Sequence, residues 1–254
     1  MSTSLIKDSN RLKAAVNLLN LSLSSYPGRG IVIGRDETGE NLIQVYWIMG
    51  RSENSRNRVF CSDENSRLFT EAADPAKMQD PSLVIYTAMA EHKDCYVVSN
   101  GSQTDDVIRD AQLFGTNGES LQHSLRAQQY EPDAPNFTPR ITGQCVTNGS
   151  APSVQLAVLR RSVFGFACDR FHYNYDEVNA GFGFCVTTYM KDGSPLPSWR
   201  GDPLIMPLNG SIKDIAVAYM MALSEEHFVS IAVKSIPVVG GKSTIEIINK
   251  YAKV

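Results

Sequence analysis

The sequence is poor in histidine and has no patterned cysteine. Its four histidines (His92, His123, His172, His227) lie far apart and form no His-Glu-x-x-His pair, so no zinc or iron site is indicated. The five cysteines (Cys61, Cys95, Cys145, Cys168, Cys185) are odd in number and widely spaced. That argues against a disulfide framework or a Cys-x-x-Cys metal knuckle, and they read as buried, reduced thiols. No apolar run approaches the roughly 20 residues of a membrane span. The opening Met-Ser-Thr-Ser-Leu-Ile-Lys-Asp lacks the basic-then-apolar order of a secretory signal, which makes the cytoplasm the default compartment. Cationic surplus is missing too. A net charge of −3 and a pI near 5.8 argue against nonspecific nucleic-acid binding, so any anion site must be local. No membrane, nucleic-acid or metal partner is expected.

What is present is a hydrophobic fraction of 43% over 254 residues, ample for a core, with no Pro/Gly/Ser-rich linker to divide it. One domain over 1–254 is the expectation. Residues 10–23 read as an amphipathic helix with Leu12, Val16, Leu19 and Leu23 on one stripe. Gly30–Gly34 and Leu42–Gly50 read as a hairpin around Arg35–Asn41. Further strands are expected at 95–99, 140–147, 154–161, 163–169, 182–189 and 228–234. Helices are expected at 104–114, capped by Thr104, at 118–130 and at 212–224. Asn-Gly-Ser recurs at Asn100, Asn148 and Asn209 as turn chemistry. This order fits an α+β protein of two stacked sheets covered by helices better than a doubly wound sheet.

Three segments carry candidate chemistry. Tyr96–Asp105 is a β-rich run broken at Asn100-Gly101, where both residues tolerate positive φ, and it presents Ser102, Gln103, Thr104 and Asp105 where strand becomes helix. Arg51–Arg58 holds three guanidiniums within eight residues, a phosphate clamp or a solvated basic loop; Arg29 and Arg35 bracket the preceding strand. Tyr130–Arg140 holds Glu131, Asp133, three prolines and Arg140, and a stiff loop of this kind either holds a carboxylate for proton transfer or merely connects. Gly240-Gly-Lys-Ser243 imitates a P-loop, but the first glycine of that pattern would fall at Ile236.

Four blocks, Tyr26–Arg35 (Tyr-x-Gly-Arg-x-x-x-x-Gly-Arg), Arg51–Arg58, Tyr96–Asp105 and Tyr130–Arg140, together resemble the archaeal-type IMP cyclohydrolase family. Phe182–Asp202, with Thr187-Thr-Tyr189 and Leu196-Pro-Ser-Trp199, is similar too. The chain departs from shorter members by an added helical segment at 1–25, two extra residues within Arg51–Arg58 and an inserted Phe137, which leaves the second arginine role open between Arg56 and Arg58.

The resemblance implies a four-layer αββα sandwich like that of the N-terminal-nucleophile hydrolases, without self-processing, cofactor or metal. It implies closure of the purine ring of a formamidoimidazole-carboxamide ribotide to give inosinate and water. Arg51 and Arg58, with Arg29, are then assigned to the phosphate. Tyr86, in Leu83-Val-Ile-Tyr-Thr-Ala, is assigned to the formyl oxygen and Glu131 to the carboxamide. Asn100, Ser102 and Asp105 are assigned to base and ribose, and Arg140 to substrate or to Glu131. An amide hydrolase using an N-terminal nucleophile such as Ser2, or a silent purine-nucleotide-binding module, are the alternatives. A homo-oligomer is compatible with either apolar helix, 10–23 or 212–224.

Overall fold

The computed structural model describes residues 3–78, 81, 84–116, 120–147 and 152–253; Ser2, Leu83, Gly118 and the Asn148 turn fall outside them. The first sheet places β11 (Leu204–Pro207), β10 (Phe182–Thr187), β1 (Gly30–Arg35), β2 (Asn41–Met49), β12 (Phe228–Pro237) and β13 (Thr244–Asn249) side by side in that order. The second runs in chain order: β3 (Val59–Ser62), β4 (Leu68–Glu71), β5 (Thr87–His92), β6 (Cys95–Ser99), β7 (Arg140–Val146), β8 (Ser153–Arg161) and β9 (Cys168–Tyr175). Every ladder is antiparallel.

Period-two alternation explains the layers. From β1 and β2, Ile31, Ile33, Leu42, Tyr46 and Ile48 meet Met89, Val98, Ile141 and Leu156 of the second sheet in one core. Their neighbours Val32, Ile43, Val45, Trp47 and Met49 face the other way, against α1 (Thr3–Leu23) and α5 (Ile212–Ala222) through Leu21, Ile215, Ala216 and Tyr219. Between β2 and β3 lies the short α2 (Glu53–Arg56). On the far side, Val107 and Ala111 of α3 (Gln103–Phe114) and Leu121 of α4 (Ser120–Ser124) cover Cys95, Val97, Ala157 and Leu159. Sheets covered on both faces account for the nearly continuous apolar run of β2. No helix among the described residues is long and apolar enough to cross a membrane.

Several expectations are corrected. Residues 163–167 are not strand: Phe164-Gly165 turns the chain, with Gly165 at φ 134° and Ser162 N donating to Ala167 O at 2.8 Å. Aromatic and β-branched residues there imitate a strand, but they sit on an exposed hairpin tip. The helix expected to reach Tyr130 ends at Ser124, where i→i+3 bonds from Arg126 and Gln128 tighten the backbone. Ser102, not Thr104, occupies the N-cap of α3, and its side chain makes no cap bond; the Thr104 hydroxyl instead meets that of Ser99 at 2.7 Å. The Leu12 stripe of α1 faces solvent, while Ala14, Leu18 and Leu21 face the sheet.

The β1–β2 turn is held by Asp36, whose carboxylate accepts from Thr38 Oγ1 (2.9 Å), Asn41 N (3.2 Å) and Asn41 Nδ2 (2.8 Å). Burial alone would raise this carboxyl, but the bonds from Asn41 and Thr38 outweigh it and hold it below its usual 3.8. Asp36→Ala is expected to cost about 1–2 kcal/mol in denaturant unfolding. A depressed folded-state carboxyl stabilises above its unfolded pKa, so the difference from the parent should persist above pH 3.8 and fade as pH falls through the folded value.

Candidate active site

At the end of the inter-sheet layer where β1 begins, the folded chain gathers three guanidiniums, one carboxylate and several phenols. Arg29 directly precedes β1 and is fixed through its backbone: its N–H donates to Thr188 Oγ1 (3.1 Å) and its carbonyl accepts from Thr188 N (2.8 Å). Its Nη2 stands 3.8 Å from Glu131 Oε2. Glu131 is 2% exposed, and its backbone N–H donates to Thr138 O at 2.8 Å, which folds the proline-rich loop back on itself. The Arg140 Nη1 approaches Glu131 Oε1 to 3.2 Å from the first residue of β7. Glu131 is thus ion-paired on both sides, while its Oε1 accepts no hydrogen bond.

Asn100 and Gly101 shape the Arg140 side. The Asn100 side chain donates to Pro139 O (2.9 Å) and accepts from Ile141 N (2.8 Å), clamping the start of β7, while Arg140 Nη1 donates to Asn100 O at 3.3 Å. A Cβ on Gly101 would lie 1.7 Å from Arg140 Nη1. The pair is therefore not a positive-φ turn: neither residue is among those with φ above zero. Glycine is needed because a guanidinium crosses it.

Two tyrosines bridge the sheets. The hydroxyls of Tyr46 on β2 and Tyr86, just before β5, lie 2.6 Å apart. Burial, then the neighbouring Tyr86, raises the Tyr46 phenol well above its usual value of 10.0 despite the opposing pull of Arg29 and Arg58. Tyr46 holds its proton at neutral pH. Burial works against the charge of Arg29, but Glu131 and the surrounding phenols more than offset it and raise its pKa.

Arg58 is 1% exposed, with its Nε donating to Ser55 O at 2.9 Å and its Nη1 without a partner. Burial and then the like charge of Arg29 lower its pKa. No carboxylate among the described residues pairs with it. Arg56 turns elsewhere, toward Gly50 O (2.9 Å) and His227 Nδ1 (3.2 Å). The one turn of α2, closed by a Ser52–Ser55 capping box, sends the two arginines in different directions. A cleft of about 430 Å³ beside α2 is lined by Glu53, Arg56, Asn57, Asp74 and Lys77. Its Lys77 is already paired with Asp74. The unpaired buried cation makes the inter-sheet cluster the stronger anion site.

Arg51 stays at the rim, paired with Asp192 at 2.6 Å and 5.1 Å above the Tyr26 ring, which stacks on Tyr189. Ser102 is exposed, and Asp105 pairs with Arg67 at 3.1 Å; neither contacts the cluster. Tyr46, Tyr189 and Thr138 were not singled out from sequence, and Asp133 was named there only as the second carboxylate beside Glu131. Thr138 gives its hydroxyl proton to Asp133 and so accepts from the Tyr189 hydroxyl, 2.5 Å away. In sequence Tyr46 looks like any aromatic of an apolar strand. Tyr189 and Thr138 lay inside resembling blocks with nothing to mark them as partners. Among the described residues no group of three His, Cys, Asp or Glu could hold a metal ion.

The family model described as IMP cyclohydrolase-like protein matches residues 26–239, which include the whole cluster and begin just after α1. The chain belongs to this family. Among curated proteins, the IMP cyclohydrolase of Methanothrix thermoacetophila is 28% identical over 177 residues, covering 69% of this chain and 80% of that protein. As an IMP cyclohydrolase-like protein, the chain keeps Arg29, Arg58, Tyr86, Glu131 and Arg140 inside the matched region and the Leu12 helix outside it.

Proposed function

We propose that this protein closes the second ring of the purine, converting 5-formamidoimidazole-4-carboxamide ribotide to inosinate and water. The observation that carries the reading is the charge of the buried cluster. Three guanidiniums (Arg29, Arg58, Arg140) against one carboxylate (Glu131) leave two positive charges in excess, one of them on a guanidinium with an unpartnered nitrogen. A phosphate monoester supplies two negative charges and the oxygens to fill such a fork. Arg58 and Arg29 take the phosphate in this reading, with Arg51 meeting it at the rim.

The chemistry asks little of covalent catalysis. The carboxamide nitrogen forms a bond to the formyl carbon, the formyl oxygen takes up a proton, the nitrogen loses one, and the resulting carbinolamine expels water as the ring C=N forms. Both reacting groups lie on one molecule, so positioning supplies much of the rate. Glu131, immobilised by Arg29 and Arg140, accepts the carboxamide N–H and holds that group against the formyl carbon. Tyr46 donates to the Tyr86 oxygen, which leaves the Tyr86 O–H to meet the formyl oxygen as charge grows on it. The helix–sheet–sheet–helix order supports kinship with the N-terminal-nucleophile hydrolases; in this mechanism the chain's first residue has no part and no self-processing is required.

Tyr86→Phe removes one donor and keeps the ring. Its kcat on the formylated ribotide is expected to fall about 10²-fold with KM near the parent's. An unchanged kcat would remove Tyr86 from the chemistry. Substrate lacking the phosphate tests the charge argument: turnover of the riboside as efficient as that of the ribotide would contradict it.

A further inference from the structure

The two ion pairs of Glu131 hold its charge without directing it. Arg29 Nη2, at 3.8 Å from Oε2, is beyond hydrogen-bond reach, and Oε1, 3.2 Å from Arg140 Nη1, accepts no hydrogen bond. Direction therefore comes from the loop that carries the residue. Residues 131–138 close on themselves where Glu131 N donates to Thr138 O at 2.8 Å, and the Asp133 carboxylate braces the closure by accepting from Thr138 N at 2.6 Å. This loop leads into β7 of the second sheet. The hydroxyl that meets Thr138 Oγ1 at 2.5 Å belongs to Tyr189, two residues beyond β10 of the first sheet. Tyr189 is buried, and burial raises its phenol above the usual 10.0 against the pull of Arg29 and of the Thr138 bond, so it keeps its proton and donates.

The preceding residue does the same for the cation. Thr188 accepts from Arg29 N at 3.1 Å and donates to Arg29 O at 2.8 Å, and Tyr189 N donates to Pro27 O at 3.1 Å. We propose that the Thr188-Tyr189 dipeptide sets the geometry of the site, with the Tyr189 hydroxyl as the positioning group for Glu131: one stretch of chain fixes the backbone of Arg29 and, through Thr138, the loop of its carboxylate partner. The inference rests on the reading of Glu131 as the group that receives the carboxamide. Tyr189 touches no substrate in it and acts only through Thr138. Because the carboxylate is aimed from behind, its Oε1 is left free to accept from the ligand. A second tether, Leu196 N to Asn136 Oδ1 at 3.1 Å, keeps the loop in place when the first is cut, so losing the Tyr189 hydroxyl loosens Glu131 without releasing it. A displacement of about 1 Å at a reacting group can cost about 10²-fold in rate, and loosening costs less.

Tyr189→Phe keeps the ring, its stacking on Tyr26 and the Thr188 clamp on Arg29, and removes the hydroxyl alone. On the formylated ribotide, well below the melting temperature, its kcat should fall about 10-fold with KM near the parent's, since the phosphate arginines are undisturbed. Thr138→Val removes the other end of the bond and should lower kcat at least as far, while Thr138→Ser, which keeps the hydroxyl, should stay near the parent. The double variant Tyr189→Phe, Thr138→Val should be no slower than Thr138→Val alone, because both changes cut one bond. A parental kcat in Tyr189→Phe, a loss that appears in KM instead of kcat, a Thr138→Ser protein as slow as Thr138→Val, or a further fall in the double variant would each overturn the positioning role while leaving the proposed reaction standing. A parent that does not turn over the ribotide would overturn that reaction, and this role with it.

Discussion

Glu131→Gln should lower turnover of the formylated ribotide by about 10²-fold or more. The substitution keeps the volume and removes the charge, so the loss reports on what the carboxylate does for substrate and for its two arginines. It should also destabilise the fold. Removing the one carboxylate between Arg29 and Arg140 leaves these two largely buried guanidiniums without their counter-charge, with Arg58 beside Arg29, and breaking a buried pair in this way costs about 3–5 kcal/mol. Saturating ribotide should restore part of that stability, because the phosphate supplies the missing negative charge. Thermal melts with and without ligand separate the two effects.

Arg58→Met is the second large change, and its two effects have opposite signs. Ligand affinity should fall about 10²-fold, the worth of two strong charge-assisted bonds. The empty protein, in contrast, should melt at a higher temperature. Arg58 is buried beside Arg29 with an unpartnered Nη1, so methionine removes an uncompensated charge and loses only the bond to Ser55 O. Stability gained where function is lost is the mark of a group retained for its ligand. Calorimetric titration with the unformylated ribotide, alongside unfolding of the ligand-free protein, checks both. A lower melting temperature would mean that Arg58 serves the fold.

How much of this could be read beforehand depended on whether the cause was local. The β1–β2 hairpin, α3 and α5 were legible because β-branched runs, a turn-rich joint and helical spacing are written in consecutive residues. Strands β3, β4 and β11 were not, being four residues each on or near sheet edges; β5 and β13 were likewise missed, and of β9 only the first two residues were expected. In α1 the Leu12 stripe was visible, but no spacing tells which of two apolar faces meets the sheet. The site shows the same division. Arg29, Arg58, Glu131 and Arg140 could each be named because they stand in resembling blocks, and Tyr86, outside them, because it aligns with a tyrosine of the family. The Tyr46–Tyr86 bond joins β2 of one sheet to the residue just before β5 of the other and has no sequence signal. Arg56 and Arg58 could not be separated because a single helical turn decides their directions. Gly101 looked like a turn residue, and only the path of Arg140 reveals why a side chain is excluded there.

The most direct test is a single-turnover experiment in which enzyme in excess is mixed with the formylated ribotide and purine absorbance is followed. Ring closure well above the uncatalysed rate with the parent, near that rate with Glu131→Gln, and with product containing the intact ribose phosphate is the predicted result. Equal rates for parent, Glu131→Gln and buffer, with the ribotide nonetheless bound, would contradict the account and leave a purine-nucleotide-binding module in its place.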